Sequence, residues 1–244
     1  VGAISKMELK EYRKKAQLIF QDPYAALNPR MTVRDIIAEP LEVMELVQTR
    51  EEADQKVREI ASKCRLNLEH LRRFPHAFSG GQRQRISIAR TLVCSPNVVV
   101  ADESVAALDV SIQADILNLL KSLQNNLGLT FLFISHDLSV VAHICDTVAV
   151  MYLGTIVESA PTRSLFTQPK HPYTKALLSA IPTLNPEDRG KAQKLEGEIP
   201  SPVNPPSGCR FHTRCPVAED RCRKEIPQWR ESSPGHSVAC HLVG

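Results

Sequence analysis

The chain has 244 residues, 43% apolar and 23% charged, with 30 Lys and Arg against 27 Asp and Glu. This make-up suits one or two folded globular domains and excludes a disordered tail. No run approaches the roughly 18 unbroken apolar residues of a spanning helix. The richest stretch, Val140 to Leu153, is broken by His143, Asp146 and Thr147, and a net charge of +3 is too weak to point to nucleic acid. The chain opens at Val1 with no initiator Met, basic n-region or apolar h-region, so no signal peptide is visible and the start reads as a cut in mid-structure.

In chain order, Ala16 to Phe20 reads as a short strand. Thr32 is placed to cap a helix carrying Ile36, Ile37 and Leu41, with Pro40 as a kink. Thr49 and Glu52 form a capping-box pattern ahead of a helix with Ala53, Val57, Ile60, Ala61 and Cys64 on one face. Ser79 to about Val93 is a further helix. Asn97 to Asp102 is an apolar run ending in acid, as expected of a strand buried on both faces of a parallel sheet. A helix over Ser111–Asn126 stops at Gly128. Leu129 to Ser135 is a second buried strand, and Asp137 is placed to cap the helix after it. Asp146–Tyr152 and Thr155–Val157 read as two strands turning at Gly154. The alternation predicts an α/β layer architecture. After Ser159 prolines punctuate the chain. A helix fits Pro172–Ile181, residues 182–208 read as a linker, and 209–244 as a small cysteine-rich module.

Three segments carry chemistry. Ser79-Gly80-Gly81-Gln82 opens a helix, where free amides and the dipole favour a phosphate; alone it is equally an ordinary Ser-capped helix. Asp102 and Glu103 place adjacent carboxylates at a strand end, where ligands of open α/β sheets sit. One could hold a Mg²⁺ shell and the other orient a water. His136 follows the next strand and can reach a phosphate oxygen. Of the seven cysteines, Cys64, Cys94 and Cys145 read as small buried hydrophobes. Cys209, Cys215, Cys222 and Cys240 crowd the final 36 residues and argue for a metal or cluster site over disulfides. Their spacings of x5, x6 and x17 lack the close C-x2–4-C pairs common at zinc sites. Between Cys209 and Arg230, six basic residues face three acidic ones, either neutralising a cluster or forming a solvated face.

Together these residues resemble the nucleotide-binding subunit of an ABC transporter. Ser79 to Gln82 is similar to the signature motif, Val98 to Glu103 to the Walker B strand and catalytic Glu, Ala107-Leu108-Asp109 to the D-loop, His136 to the switch histidine and Gln21 to the Q-loop. Phe20 to Arg30, Met151 to Glu158, His171 to Thr174 and Gly208 to Pro216 narrow the resemblance to oligopeptide and dipeptide importers. It implies an α/β fold: a partial ABC-type P-loop NTPase domain over 1–160, with a helical subdomain about 32–95, a helix and Pro-rich linker over 161–208, and a Cys-rich C-terminal extension over 209–244. It implies an ATPase with Glu103, His136 and Gln21 as catalytic residues. Ser79, Gly80, Gly81, Gln82, Asp102 and Asp109 would be nucleotide-binding, and Asp102 with Gln21 would hold Mg²⁺.

The implied partners are a second ABC ATPase subunit (the same chain or a paralogue), transmembrane permease subunits and, indirectly, a peptide-binding protein. The implied location is peripheral, on the cytoplasmic face of the inner membrane, with no nucleic acid. For Cys209, Cys215, Cys222 and Cys240 the resemblance ranks a [4Fe–4S] cluster first, Zn²⁺ second and free thiols third. The family's P-loop, G-x-x-x-x-G-K-[ST], is not found in the chain; Gly190-Lys191 is followed by Ala192. The expectation is therefore an N-terminally truncated subunit, inactive alone. Ser104, Ala106 and Phe78 replace the family's usual Pro, Ser and Leu. Two other readings are an ABC-type DNA-repair ATPase, which the C-x5-C spacing and importer segments oppose, and a non-catalytic metal-binding docking fragment.

Overall fold

The computed structural model describes residues 5–181 and 195–243. Residues 182–194 of the 182–208 linker reading, including the Gly190-Lys191 pair, lie outside the described residues. The chain divides into two compact units, Val1–Asp137 and Leu138–Gly244. That places the division earlier than the boundary near 160 that the sequence suggests.

In the first unit α1 (Lys6–Lys15) opens on a reciprocal cap, Ser5 Oγ accepting from Glu8 N and Glu8 Oε2 accepting from Ser5 N. Arg13, Lys14 and Lys15 close it, favourable at the negative end of the helix dipole. β1 (Ala16–Ile19) and β3 (Thr130–Ile134) flank β2 (Val98–Asp102) in a parallel sheet. Val99 and Ala101 of the central strand are fully buried. β3 is not buried on both faces as expected. It is an edge strand of the described sheet, and Leu132 and Ile134 remain 57% and 45% exposed. Apolar composition alone does not distinguish a central strand from an edge strand.

Helices pack beside this sheet. A one-turn helix α2 (Pro23–Ala26) follows β1. α3 (Val33–Val43) is capped by Thr32 and α4 (Arg50–Lys63) by Thr49. Only half of the expected box at Thr49 forms, because Glu52 Oε2 accepts from Gln48 N instead. α5 (Gly80–Leu92) and α6 (Val110–Leu127) complete the layer. Gly128 ends α6 at φ 65°, in the left-handed region that glycine adopts without penalty. Ile36, Ile37, Leu41, Val57, Ile86 and Ile88 are buried in this helical core, each contributing about 1.5–3 kcal/mol relative to exposure.

The second unit contains α7 (Leu138–Ile144), β4 (Thr147–Tyr152), β5 (Thr155–Pro161), α8 (Thr162–Thr167) and α9 (Pro172–Ser179). Leu153 and Gly154, both at positive φ, make the tight turn between β4 and β5. α10 (Asp220–Lys224), β6 (Arg230–Ser233) and β7 (His236–Val238) follow. The strands form one antiparallel sheet in the order β4-β5-β7-β6. Residues 209–244 therefore share a sheet and a core with the strands before them. Phe211 is 1% exposed and packs against Tyr152, Tyr173 and His171.

One charge lies inside this unit. Glu158 is fully buried. Its Oε1 accepts from Lys170 N at 2.7 Å and lies 2.7 Å from His236 Nε2, while Oε2 accepts from His171 N at 2.9 Å. Burial pushes the Glu158 carboxyl up, but the hydrogen bonds from His236, Lys170 and His171 outweigh it, leaving the group below its ordinary value. His171 is held neutral, burial drawing it down to about 4. Its Nδ1 accepts from Tyr173 N and caps α9.

Candidate active site

The three parallel strands deliver one functional side chain each beyond their carboxyl ends. β2 ends in Asp102, and the Glu103 amide extends the ladder by donating to Ile134 O at 2.9 Å. Glu103 itself has φ 45°, a left-handed conformation costing a non-glycine residue about 1–3 kcal/mol. That turn aims its carboxylate between the neighbouring strands. Gln21, two residues past β1, donates from Nε2 to Glu103 Oε2 at 2.5 Å. His136, two residues past β3, places Nδ1 at 2.9 Å from Glu103 Oε1. The carboxylate raises the His136 imidazole above its ordinary value through the hydrogen bond and its charge. The His136 side chain is 71% exposed and that of Glu103 27%, so the group is open to a ligand. Asp102 lies half-buried at the same edge.

Ser104, where the sequence resemblance favours Pro, is 2% exposed, and its hydroxyl has no hydrogen-bond partner among the described residues. An orphaned buried hydroxyl costs about 1–3 kcal/mol, so this position suits a residue without one.

The N-terminus of α5 forms a complete capping box. Ser79 Oγ accepts from Gln82 N at 3.4 Å, and Gln82 Oε1 accepts from Ser79 N at 3.0 Å. The Gln82 carboxamide is thus turned back on its own helix. The amides of Gly80 and Gly81 belong to the first turn, whose donors have no partner within the helix. Gly81 also serves packing: a Cβ there would meet Ile112 Cγ2 on α6 at 2.5 Å. Gly81→Ala is expected to cost about 1–3 kcal/mol, as overpacking typically does, with partial recovery in Gly81→Ala/Ile112→Ala. Urea titration checks this, and a cost-free Gly81→Ala would refute the close approach. Asp109, expected at the nucleotide, here caps α6 by accepting from Ile112 N at 3.0 Å.

Sequence reasoning missed the residues that tie these parts together. The Arg83 guanidinium lies 4.0 Å above the Tyr24 ring. Arg90, two helical turns on, donates to Ala26 O and Glu39. Their i, i+7 spacing on α5 was the available signal.

The four late cysteines share one neighbourhood. Cys209 N donates to Cys222 O at 2.8 Å, and Cys222 and Cys240 are buried. Burial pushes the Cys209, Cys215 and Cys240 thiols up, and their mutual proximity adds to it. Yet among the described residues no group of three or more His, Cys, Asp or Glu is arranged to hold a metal ion. The expected convergence on one ligand point is therefore not formed. Clustered thiolates repel, which is the part of the rise at Cys209, Cys215 and Cys240 that comes from their neighbours. Cys64 and Cys94 are buried, pushed up to about 12 and about 11, and fit the expected role of small hydrophobes.

A parallel sheet whose strand ends bring together a carboxylate, a glutamine and a histidine, with a glycine-rich helix start in the same unit, is the arrangement that the resemblance to an ABC-type ATPase implies. Residues 2–106 match the ABC transporter family, and residues 157–222 match the oligopeptide/dipeptide transporter C-terminal region. YkfD of Bacillus subtilis (strain 168), which carries the name of an oligopeptide transport ATP-binding protein, is 54% identical over 242 residues, 98% of this chain and 74% of that protein. The oligopeptide transport ATP-binding protein AppF of the same organism is 52% identical, covering 96% of this chain and 71% of its own. The ATP-binding cassette MJ0796, solved as a dimer in a post-hydrolysis state bound to ADP and Pi, superposes with a TM-score of 0.57 at 27% identity, covering 66% of this chain and 69% of that one. The chain belongs to the ABC transporter family, among the ATP-binding proteins that carry the oligopeptide/dipeptide transporter C-terminal region.

Proposed function

We propose that this subunit hydrolyses ATP to power import of oligopeptides or dipeptides. The observation that carries the ATPase reading is the Glu103 carboxylate held between Gln21 and His136 at the sheet edge. The names of the relatives and the match over 157–222 support the peptide substrate over a DNA-repair role.

In this reading Glu103 draws a proton from the attacking water, and its two hydrogen-bonded neighbours fix the direction in which it does so. The exposed His136 imidazole, 2.9 Å from Glu103, in this reading stabilises charge on the transferred phosphoryl group. Ser79, Gly80 and Gly81 present first-turn amides to the phosphate bound by a second subunit. Gln82 closes the capping box of that turn, and Asp109 caps α6, whose Ile112 packs against Gly81. Asp102 and the carbonyl oxygen of Gln21 are hard donors of the kind Mg²⁺ takes. When bound, Mg²⁺ neutralises phosphate charge. The reading requires a P-loop that these 244 residues do not contain.

The partners in this reading are a second ABC ATPase subunit, transmembrane permease subunits and, through them, a peptide-binding protein. None of the helices among the described residues is long and apolar enough to cross a membrane, which fits a peripheral subunit on the cytoplasmic face. The test is peptide uptake by vesicles carrying the permease and a P-loop-bearing subunit, made by joining a P-loop segment ahead of Val1. ATP-dependent uptake is expected, and ATP hydrolysis that no peptide or permease affects would overturn the substrate assignment.

The Cys209, Cys215, Cys222 and Cys240 set is proposed as the ligand set of a [4Fe–4S] cluster, with Zn²⁺ as the alternative. Thiolate donors suit either group, and because the four sulfurs do not form a metal-holding group by themselves, loading must draw them together. Anaerobic purification with iron and acid-labile sulfide analysis is the check. Iron and sulfide in near-equal amounts are expected; zinc alone, or no metal, rejects the cluster.

A further inference from the structure

We propose that Tyr24 is a positioning residue for ATP hydrolysis. Held under Arg83, it makes α2 a strap that ties the start of α5 to Gln21 and, through Gln21, to Glu103. The proposal rests on the ATPase reading above.

The strap is built from short local pieces. Gln21 holds Glu103 Oε2. The next residue, Asp22, caps α2 by accepting from Tyr24 N at 2.7 Å. Pro23, buried at the first helical position, fixes the entry angle through its locked φ. Tyr24 follows with its ring face under the Arg83 guanidinium.

Arg83 is not free to drift. Its Nε donates to Pro75 O at 2.8 Å and its Nη2 to His76 O at 3.3 Å. Those carbonyls lie just ahead of Phe78 and Ser79. One planar cation thus binds both the approach to the glycine turn and the ring that follows Gln21. Arg's rigid fork can do this, and a lysine's single ammonium cannot. At the other end of α2, Arg90 Nη1 donates to Ala26 O at 3.1 Å while Nη2 pairs with Glu39 Oε2 at 2.8 Å on α3. Thr91 Oγ1 on the same helix bonds Leu18 O of β1. The segment is therefore pinned at both ends by one helix.

Packing does not account for Tyr24. Its side chain is among the exposed large hydrophobics, at 63%, while Pro23 and Leu27 fill the core on either side. What the ring supplies is a face for the guanidinium, an electrostatic contact that needs an aromatic but no hydroxyl.

The experiment compares wild type, Tyr24→Ala, Tyr24→Phe and Arg83→Lys in the P-loop-bearing subunit, measuring kcat and KM for Mg-ATP together with thermal melting. Tyr24→Ala is expected to lower kcat by about two- to fivefold, the scale of one such contact at an exposed ring, with KM and melting unchanged. Tyr24→Phe should retain wild-type kcat, and Arg83→Lys should fall between. Wild-type kcat in Tyr24→Ala overturns the strap alone. So does a loss that Tyr24→Phe shares, or one that follows the melting temperature. An inactive wild type overturns the ATPase reading and the strap with it.

Discussion

Glu103→Gln is expected to leave nucleotide binding intact in the P-loop-bearing subunit and to lower ATP turnover by about 10²–10⁴-fold, the usual worth of a general base. The replacement keeps the side chain's size and its hydrogen bond capacity toward Gln21 and His136. It removes the one group of the trio able to take a proton from water as a carboxylate. The strained turn at Glu103, with φ 45°, is unchanged by it, so folding should be unaffected. Phosphate release and equilibrium binding of Mg-ATP separate the two quantities. Turnover near wild type would remove Glu103 from the chemistry.

Glu158→Ala is expected to destabilise the second unit by about 3–5 kcal/mol, because removing one member of a buried charged network strands its partners. His236 Nε2 and the amides of Lys170 and His171 would each lose their acceptor. The effect joins β5 to β7 and to the start of α9, so it should unfasten the C-terminal hairpin. Trp229, the chain's single tryptophan, lies between α10 and β6 and reports that region. Its fluorescence in a urea titration is the measurement; an unchanged midpoint would contradict the role given to Glu158. Glu158→Gln should cost less, since an acceptor remains. The sign with pH follows from the lowered carboxyl: its stabilising contribution is present above the unfolded value of 4.5 and is lost as pH falls through the folded one.

Much of the first unit was legible because local chemistry decides it. Thr32 caps α3, Ser79 and Gln82 close a capping box, Gly128 ends α6 with positive φ, and Asp102 ends β2. Such signals act over a few residues, so a linear reading sees them. The site was legible in its members and not in its contacts. That Gln21 and His136 would meet the same carboxylate follows from strand order, which periodicity does not give.

Long-range pairing was hidden for the same reason. β5 runs on to Pro161, and Glu158 and Ser159 pair with Val238 and Ser237 about 80 residues later. β6 and β7 are short and polar at Arg230, Glu231 and Ser237, so nothing in their composition announces a sheet. The module over 209–244 therefore looked self-contained when its core residue, Phe211, belongs with Tyr152 and Tyr173. Leu132 and Ile134 looked buried because edge position cannot be read from an apolar run.

The most direct test of the central claim is light scattering of the P-loop-bearing Glu103→Gln subunit with Mg-ATP or Mg-ADP. Two ATPase subunits completing each other's site, the second being the same chain or a paralogue added to the sample, with Ser79 to Gly81 of one facing the nucleotide of the other, require a dimer that forms with ATP and dissociates with ADP. A mass that doubles only with Mg-ATP, and returns to the monomer value when Ser79 is changed to a bulky Arg, is the predicted result. A monomer in every nucleotide state, or a dimer indifferent to nucleotide and to Ser79→Arg, would contradict the account.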